Sequence, residues 1–188
     1  MPEPCAVIHA PRLDLVPMTP QFMRSMHGAD WTAASRLLGL GIPGEWRTGT
    51  WPWRQWLGTR AAEAEADATF IPWLPRVQVL RPADGSAAGP AVVGEVCFHG
   101  PPDEAGRVEI GYSVVSAYRR RGFAEEAVRA LTESADREHG VTRFRAAIAP
   151  ANTPSLNLIR KLGFTQVGSH IHEVFGEQLI FHRDGVPG

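Results

Sequence analysis

The chain has 188 residues, 44% hydrophobic and 21% charged, with a formal net charge of -1. That length suits one domain with a sizeable core and is short for two. The near-neutral balance excludes a global field drawing the chain to nucleic acid or an anionic membrane, so any affinity for anions has to be local. Cys5 and Cys97 stand far apart, with Cys97 inside an apolar run, which argues against a disulfide framework or a zinc site and fits a reducing cytoplasm. Met1-Pro2-Glu3-Pro4 lacks the basic patch and apolar stretch of a signal peptide. No apolar run is long enough to span a bilayer.

Residues 1–11 carry three prolines and little pattern, and read as a loose lead-in. Leu13, Leu15 and Met18 begin a short strand that stops at Pro17 and Pro20. Thr19-Pro20 then starts a helix, with threonine as cap and proline at the first position. Phe22, Met23 and Met26 give it an apolar face. A second helix runs from about Asp30, its cap, to Leu38, and Gly39, Gly41, Pro43 and Gly44 break it. A third is predicted from about Pro52 to Ala66. All six tryptophans, at 31, 46, 51, 53, 56 and 73, fall in this part of the chain. Aromatic core packing explains any one of them, while the clustering also suits a substrate entrance or a subunit contact.

Strand signals follow. Phe70 to Leu80 alternates loosely, and prolines at 72 and 75 demote its first half to an edge or a bulge. Ala83 to Pro90 is a turn, Ala91 to His99 a strand, Pro101 to Gly106 a turn and Arg107 to Val115 a strand. Short turns between successive strands predict an antiparallel meander.

Tyr118-Arg119-Arg120-Arg121-Gly122-Phe123-Ala124 comes next. After it Ala124, Ala127, Val128, Leu131 and Ala135 recur at helical spacing, up to Gly140. A strand therefore feeds a basic turn, and the turn feeds a helix. The first amides of a helix have no partner within it, and the peptide dipoles add partial positive charge there. Glycine and alanine at 122 and 124 allow close approach to the backbone. The physical product is an anion socket suited to a pyrophosphate; read alone, the same run is equally a solvated turn.

The chain closes with a strand at Phe144 to Ala149, a turn at 150–155 and a helix. Thr153 is the expected cap and Pro154 its first residue. Leu156, Ile159 and Leu162 form the buried stripe of that helix, and Gly163 ends it. Phe164 to Glu173 and Val174 to Phe181 read as a final hairpin, whose strands are free to pair between two subunits of a homodimer. The order predicts one α/β (α+β) domain over 1–188, with a mixed, mostly antiparallel sheet of about seven strands and helices on both faces.

The run from Val108 to Phe164 resembles the GNAT superfamily of N-acetyltransferases. The matching pieces are Glu109-Ile110-Gly111-Tyr112, Arg119-x-x-Gly122-x-Ala124, Asn152-x-x-Ser155 and Lys161-Leu162-Gly163-Phe164, in the family's order and spacing. The first three resemble most closely the branch that includes ribosomal-protein N-terminal acetyltransferases. The resemblance implies that residues 108–164 bind acetyl-CoA, with Arg119, Arg120, Arg121, Gly122, Phe123 and Ala124 on the pyrophosphate, mostly through backbone amides. It implies that the strand ending at Val114 and Val115 splays from its neighbour and pairs with the pantetheine arm as an added strand. Asn152 would bond a pantetheine amide and Ser155 would approach the thioester sulfur. Read without it, Asn152 is a turn residue and Ser155 a first-turn residue.

Acylating an amine requires a neutral amine. At neutral pH, deprotonation costs about 4 kcal/mol for a lysine side chain and about 1 kcal/mol for an α-amine. Glu109, in mid-strand, is the first candidate for the base, and a salt bridge to a nearby arginine is its competing role. Glu95 is the reserve. Many family members carry a tyrosine in the helix after Ser155 to protonate the thiolate. Ile159 stands there, which leaves Ser155, a water or Tyr112 as donor. His170, His172 and His182 lack an obvious partner set, so no metal is expected. The expected activity is acetyl transfer from acetyl-CoA to a primary amine, either a protein N-terminus or a small molecule. The alternative is a non-catalytic acyl-CoA-binding sensor or scaffold.

Overall fold

The computed structural model describes residues 5–48, 51–83 and 88–185. The first strands are β1 (Ile8–His9) and β2 (Leu13–Pro17). Three helices follow, α1 (Pro20–His27), α2 (Trp31–Leu38) and the short α3 (Gly44–Arg47), and then α4 (Trp51–Ala66). The meander is β3 (Arg76–Leu80), β4 (Ala91–Phe98) and β5 (Arg107–Val114). Next come α5 (Phe123–His139), β6 (Arg143–Ile148) and α6 (Thr153–Lys161). The hairpin of β7 (Thr165–His172) and β8 (Gly176–Asp184) completes the described chain. The strands form one mixed sheet ordered β1-β2-β3-β4-β5-β6-β8-β7. All pairings are antiparallel except that of β5 with β6.

Local chemistry sets the helix ends. Thr19 accepts a hydrogen bond from the Phe22 amide at 3.2 Å, and Asp30 accepts one from the Ala33 amide at 2.9 Å. Each satisfies a helix-start donor that would otherwise be left without a partner. Gly140 ends α5 at φ 66°, a left-handed turn that glycine adopts without strain. The sheet carries helices on both faces. On one side α1 and α4 bury Met23, Met26 and Leu57 against Val77, Val79 and Val92. On the other, α5 and α6 bury Leu131 and Ile159 against Phe144 and Phe181. Each such side chain contributes roughly 1.5–3 kcal/mol of burial, so both layers hold the sheet that carries the site.

Several elements depart from the sequence-based expectations. The sheet has eight strands rather than about seven, because Ile8–His9 in the expected loose lead-in pairs with Asp14 and Leu15. The first half of the expected strand from Phe70 is instead a 3-10 turn, Ala68–Trp73. Asp67 caps it by accepting from the Thr69 amide at 2.9 Å. The cap of α6 is Asn152, whose side chain accepts from the Ser155 amide at 3.3 Å, and Thr153 is the first helical residue. The reading of residues 1–4 and the centre of the turn at 84–87 lie outside the described residues. Among the tryptophans, Trp46 and Trp73 are core residues at 6% and 8% exposure. No described helix is long and apolar enough to cross a membrane.

Candidate active site

The sheet opens where its one parallel pair runs out. β5 and β6 pair only at Arg107–Arg143, Val108–Phe144 and Glu109–Arg145. Past that point β5 stays with β4, as far as Val114 opposite Gly94, while β6 stays with β8. A Cβ at residue 94 would overlap the Ser113 carbonyl, so β4 and β5 close up there only because the residue is glycine. The Val115 amide donates to the Val93 carbonyl at 2.9 Å, and the His99 amide to the Glu109 carbonyl at 2.8 Å. Odd-numbered backbone groups of β5 thus face β4. By strand alternation, those of Ile110, Tyr112 and Val114 face the gap. The predicted splay is present, and its free edge belongs to Tyr112 and Val114 rather than Val115.

The basic turn sits at the mouth of that gap. Ser116–Tyr118 forms a 3-10 turn, and Glu45 of α3 anchors its start by accepting from the Ser116 amide at 2.9 Å and from the Ser116 hydroxyl. Arg120 and Gly122 both lie in the left-handed region, at φ 58° and 81°. That coiling reverses the chain into α5, whose first residue, Phe123, follows a glycine with no side-chain cap bond. The Glu126 amide donates to the Gly122 carbonyl at 3.1 Å, which begins the helix ladder. The amides just before it have no partner within the helix, and the dipole makes their end of the helix positive.

The first turn also carries Glu125 and Glu126, which would repel an anion if they faced it. Glu126 is directed away from the turn's cavity, whereas Glu125 lines it with its charge paired to neighbouring cations. Glu126 accepts from the backbone amide of Arg12 at 2.6 Å, from its Nε at 2.7 Å and from the Leu13 amide at 3.1 Å. Glu125 pairs with Lys161 of α6 at 2.6 Å and with Arg129 at 3.4 Å, and its carboxyl lies below the usual carboxylate range chiefly because of the Lys161 hydrogen bond. Arg12 also donates to the Arg121 carbonyl at 3.0 Å and lies over the Phe123 ring, 4.6 Å from its centroid. One residue from the far end of the sheet thus braces the whole turn.

A cavity of about 720 Å³ joins the turn to the gap. It brings together Val114, Arg119, Arg120, Gly122, Phe123, Ala124, Asn152 and Ser155 of the expected residues, with Tyr112. Its size is within the usual range for a small-molecule or cofactor site. Arg119 Nε donates to the Val114 carbonyl at 2.9 Å, tying turn to strand end. Arg121 is outside the lining, with its guanidinium over the Tyr118 and Phe123 rings at 5.7 and 5.2 Å. A second cavity of about 310 Å³ shares Tyr112, Asn152 and Ser155 and continues between the parted strands to His99, Phe175 and Gln178. The two meet at the Tyr112 hydroxyl, which is 3.4 Å from the Ser155 carbonyl and whose pKa is raised by burial.

Glu109 lines neither cavity. One carboxylate oxygen is 3.1 Å from His99 Nδ1 and the other 3.3 Å from Arg145 Nε. Burial raises its pKa, but those two partners outweigh burial and hold it below the ordinary value. Both the base and the salt bridge to an arginine were open in the sequence, and the salt bridge is present. Glu95 is buried in β4 against Ser113, away from both cavities, and burial raises its pKa. Ile159 is fully buried in the core. His170 and His172 lie 6.3 Å apart between ring centroids, and no group of three potential metal ligands occurs among the described residues. The site residues missed in the sequence are Arg12, Glu45 and His99, whose partners are distant in the chain.

The strands of the parallel pair part, and the start of α5 lines the opening between them. Residues 12–165 match the model of the acetyltransferase (GNAT) domain, and the chain belongs to that family. It is 36% identical over 77 residues to the uncharacterized N-acetyltransferase p20 of Bacillus licheniformis, covering 41% of this chain and 43% of that protein. The chain thus spans less than half the length of the curated relatives it matches, at 43–44%. A Bordetella pertussis structure of the GnaT family aligns over 95% of this chain and 99% of its own, with 26% identity and TM-score 0.62. Mycobacterium smegmatis RimJ, solved in complex with CoA-disulfide, aligns over 96% and 88%, with 21% identity and TM-score 0.63. Ribosomal-protein acetyltransferases are also among the solved neighbours, at identities that speak to the fold.

Proposed function

We propose that the protein is an acetyl-CoA-dependent N-acetyltransferase that moves the acetyl group directly from the thioester to a primary amine. The observation that carries this reading is the continuous cavity from the bare start of α5 to the parted edge of β5. The amides of Gly122, Phe123 and Ala124, with Arg119 and Arg120, would hold the pyrophosphate. The pantetheine arm would run along the gap as a short added strand, bonding the backbone of Val114 and Tyr112. Asn152 uses its side-chain oxygen as the cap of α6, which leaves its amide nitrogen to donate to a pantetheine carbonyl. The thioester would then lie at Ser155 and Tyr112, where the two cavities meet.

The amine lone pair attacks the thioester carbonyl, a C–N bond forms, and the C–S bond breaks. The departing thiolate takes a proton from the Tyr112 hydroxyl, a phenol that is protonated at neutral pH. Positioning the two substrates supplies much of the rate enhancement.

The acceptor cavity favours a particular amine class. Among the described residues its lining holds no carboxylate; besides glycine and alanines it is made of His99, Tyr112, Asn152, Ser155, Gln178 and the apolar Ile110, Ile148 and Phe175. A polycation such as a polyamine or an aminoglycoside would want anionic walls, whereas a single α-amine on a neutral chain would not. The acceptor is therefore a peptide N-terminus or a monoamine. Two free cysteines, with burial raising both thiol pKa values, suit a reducing cytoplasm.

The test is free-thiol release from acetyl-CoA with short peptides bearing N-terminal serine or alanine, with spermidine and with an aminoglycoside. Turnover on the peptides supports the reading. Tight acetyl-CoA binding without turnover on any amine would instead support the non-catalytic sensor.

A further inference from the structure

Resting on the acetyltransferase reading above, we infer that His99 is the catalytic base of this site, and that Glu109 acts through it as a positioning residue. His99 lines the acceptor cavity beside Tyr112 and Ser155, and Glu109 does not. Both oxygens of Glu109 are engaged, one by His99 Nδ1 at 3.1 Å and the other by Arg145 Nε at 3.3 Å. A carboxylate already engaged by an imidazole N–H and a guanidinium is a weak proton acceptor. It can still choose the tautomer of an imidazole. With Nδ1–H donating to Glu109, the lone pair sits on Nε2.

Nε2 stands beside residue 111, at the cavity wall. It lies 2.7 Å from the point where a Cβ of residue 111 would stand, and Gly111 is itself a lining residue. Glycine at 111 therefore makes room for the ring at the cavity wall. The Trp56 ring packs against the imidazole at 5.5 Å between centroids. Arg60 Nη1 donates to the His99 carbonyl at 2.5 Å and fixes the backbone on the other side. The charged or titratable groups facing this pair are Arg145 on β6, Arg60 with its partner Glu63 on α4, Glu95 and the Cys97 thiol on β4, and His172 on β7. His172 Nδ1 accepts from the Val174 and Phe175 amides at 3.0 and 3.3 Å, so it is occupied by its own hairpin turn.

In the step, an acceptor ammonium gives one proton to His99 Nε2 and the freed lone pair attacks the thioester carbonyl carbon. As the amide forms, the nitrogen sheds a second proton to water, and His99 returns the first to solvent. The C–S bond breaks and the thiolate is protonated by Tyr112, which recovers its proton from solvent. Ammonium and thioester become amide, free thiol and one proton released to water, so the step balances.

The experiment compares wild type, His99→Ala, His99→Gln and Glu109→Gln, with acetyl-CoA and an N-terminal serine peptide, across pH 5.5–9. Acetyl-CoA affinity is measured calorimetrically in parallel, to show that each variant is folded. His99→Ala and His99→Gln should lower kcat by about 10²-fold or more, flatten the acid limb of its pH profile and leave acetyl-CoA affinity unchanged. Added imidazole should restore part of the His99→Ala rate, which a merely structural loss would not allow. Glu109→Gln should lower kcat less, by about tenfold, with acetyl-CoA affinity unchanged, because the imidazole stays in place but loses the carboxylate that fixes its tautomer. Retention of wild-type kcat by both His99 variants would overturn the dyad alone. So would loss of turnover in Glu109→Gln without loss in His99→Ala, since the carboxylate would then be the base. Absence of turnover by the wild type on every amine would overturn the acetyltransferase reading, and the dyad's role with it.

Discussion

Replacing Gly122 with valine should cost far more in cofactor binding than in folding. Gly122 is at φ 81°, and a Cβ there would come within 3.3 Å of Arg12 Nη2. Holding an L-residue in that conformation costs about 1–2 kcal/mol. If the turn keeps its shape, the whole penalty appears in stability, a fall in Tm of about 2–8 °C for a chain of this size. If the turn relaxes instead, the amides at the start of α5 lose their aim. Two hydrogen bonds to a charged phosphate are worth about 3 kcal/mol or more, roughly a hundredfold in Kd. Gly140→Val is the control. It stands at φ 66° at the other end of the same helix, with nothing within 4 Å of its Cβ position. The same backbone strain should lower Tm comparably and leave binding alone. Calorimetric titration with acetyl-CoA and thermal melts of both variants decide the matter. Wild-type affinity in a Gly122→Val protein whose Tm is little changed, so that the turn has relaxed, would refute the assignment of the turn.

Arg12→Ala removes the brace behind the turn while Glu126 keeps its two backbone donors. With Arg12 half exposed, melts should show a loss of only about 1–2 kcal/mol, whereas acetyl-CoA affinity should fall about tenfold. Arg12→Lys should not restore it, because a point charge cannot reproduce the fork that reaches both Glu126 and the Arg121 carbonyl. Tyr112→Phe should lower kcat about tenfold with acetyl-CoA affinity unchanged; an unaltered kcat would assign the thiolate's proton to Ser155 or a water. Acid stability tests the frame of the cavity. Because the Lys161 hydrogen bond lowers the Glu125 pKa in the folded state, its contribution is present above the unfolded value of ~4.3 and is lost as pH falls through the folded value. Glu125→Gln should therefore lower stability at pH 7 by less than about 1 kcal/mol for so exposed a pair, and its Tm should converge on wild type near pH 3. A constant difference across that range would contradict the assignment.

The parts of the site that could be read from the chain are those built by neighbours in sequence. The turn and α5 were legible because arginines, a left-handed glycine and a helical apolar stripe follow one another within about twenty residues. Asn152 and Ser155 were singled out by the family resemblance alone, since their own residue types read as a turn and a first helical turn, and the cap was placed one residue late. Asn152 and Thr153 are both competent caps, and only the backbone decides between them. The brace at Arg12 was hidden because its partners are 109 and 114 residues away. His99 was read only as the end of a strand, since its contact with Glu109 depends on the β4–β5 register and its position at the cavity depends on Gly111. The 3-10 turn at Ala68–Trp73 passed for a strand because Phe70 and Ile71 are good strand formers, and Asp67 capping tipped the balance locally. Two residues of β1 are too few to show alternation, and they are ordered by pairing with β2.

The central claim is that the unpaired amides at the start of α5, with the arginines of the preceding turn, grip the diphosphate of coenzyme A. Its most direct test is calorimetric titration of the wild-type protein with CoA and with acetyl-CoA. The account predicts saturable binding of both at one site, well below millimolar concentration, weakened by salt as a phosphate contact should be. A folded protein that gives no binding heat with either ligand at millimolar concentration would contradict it.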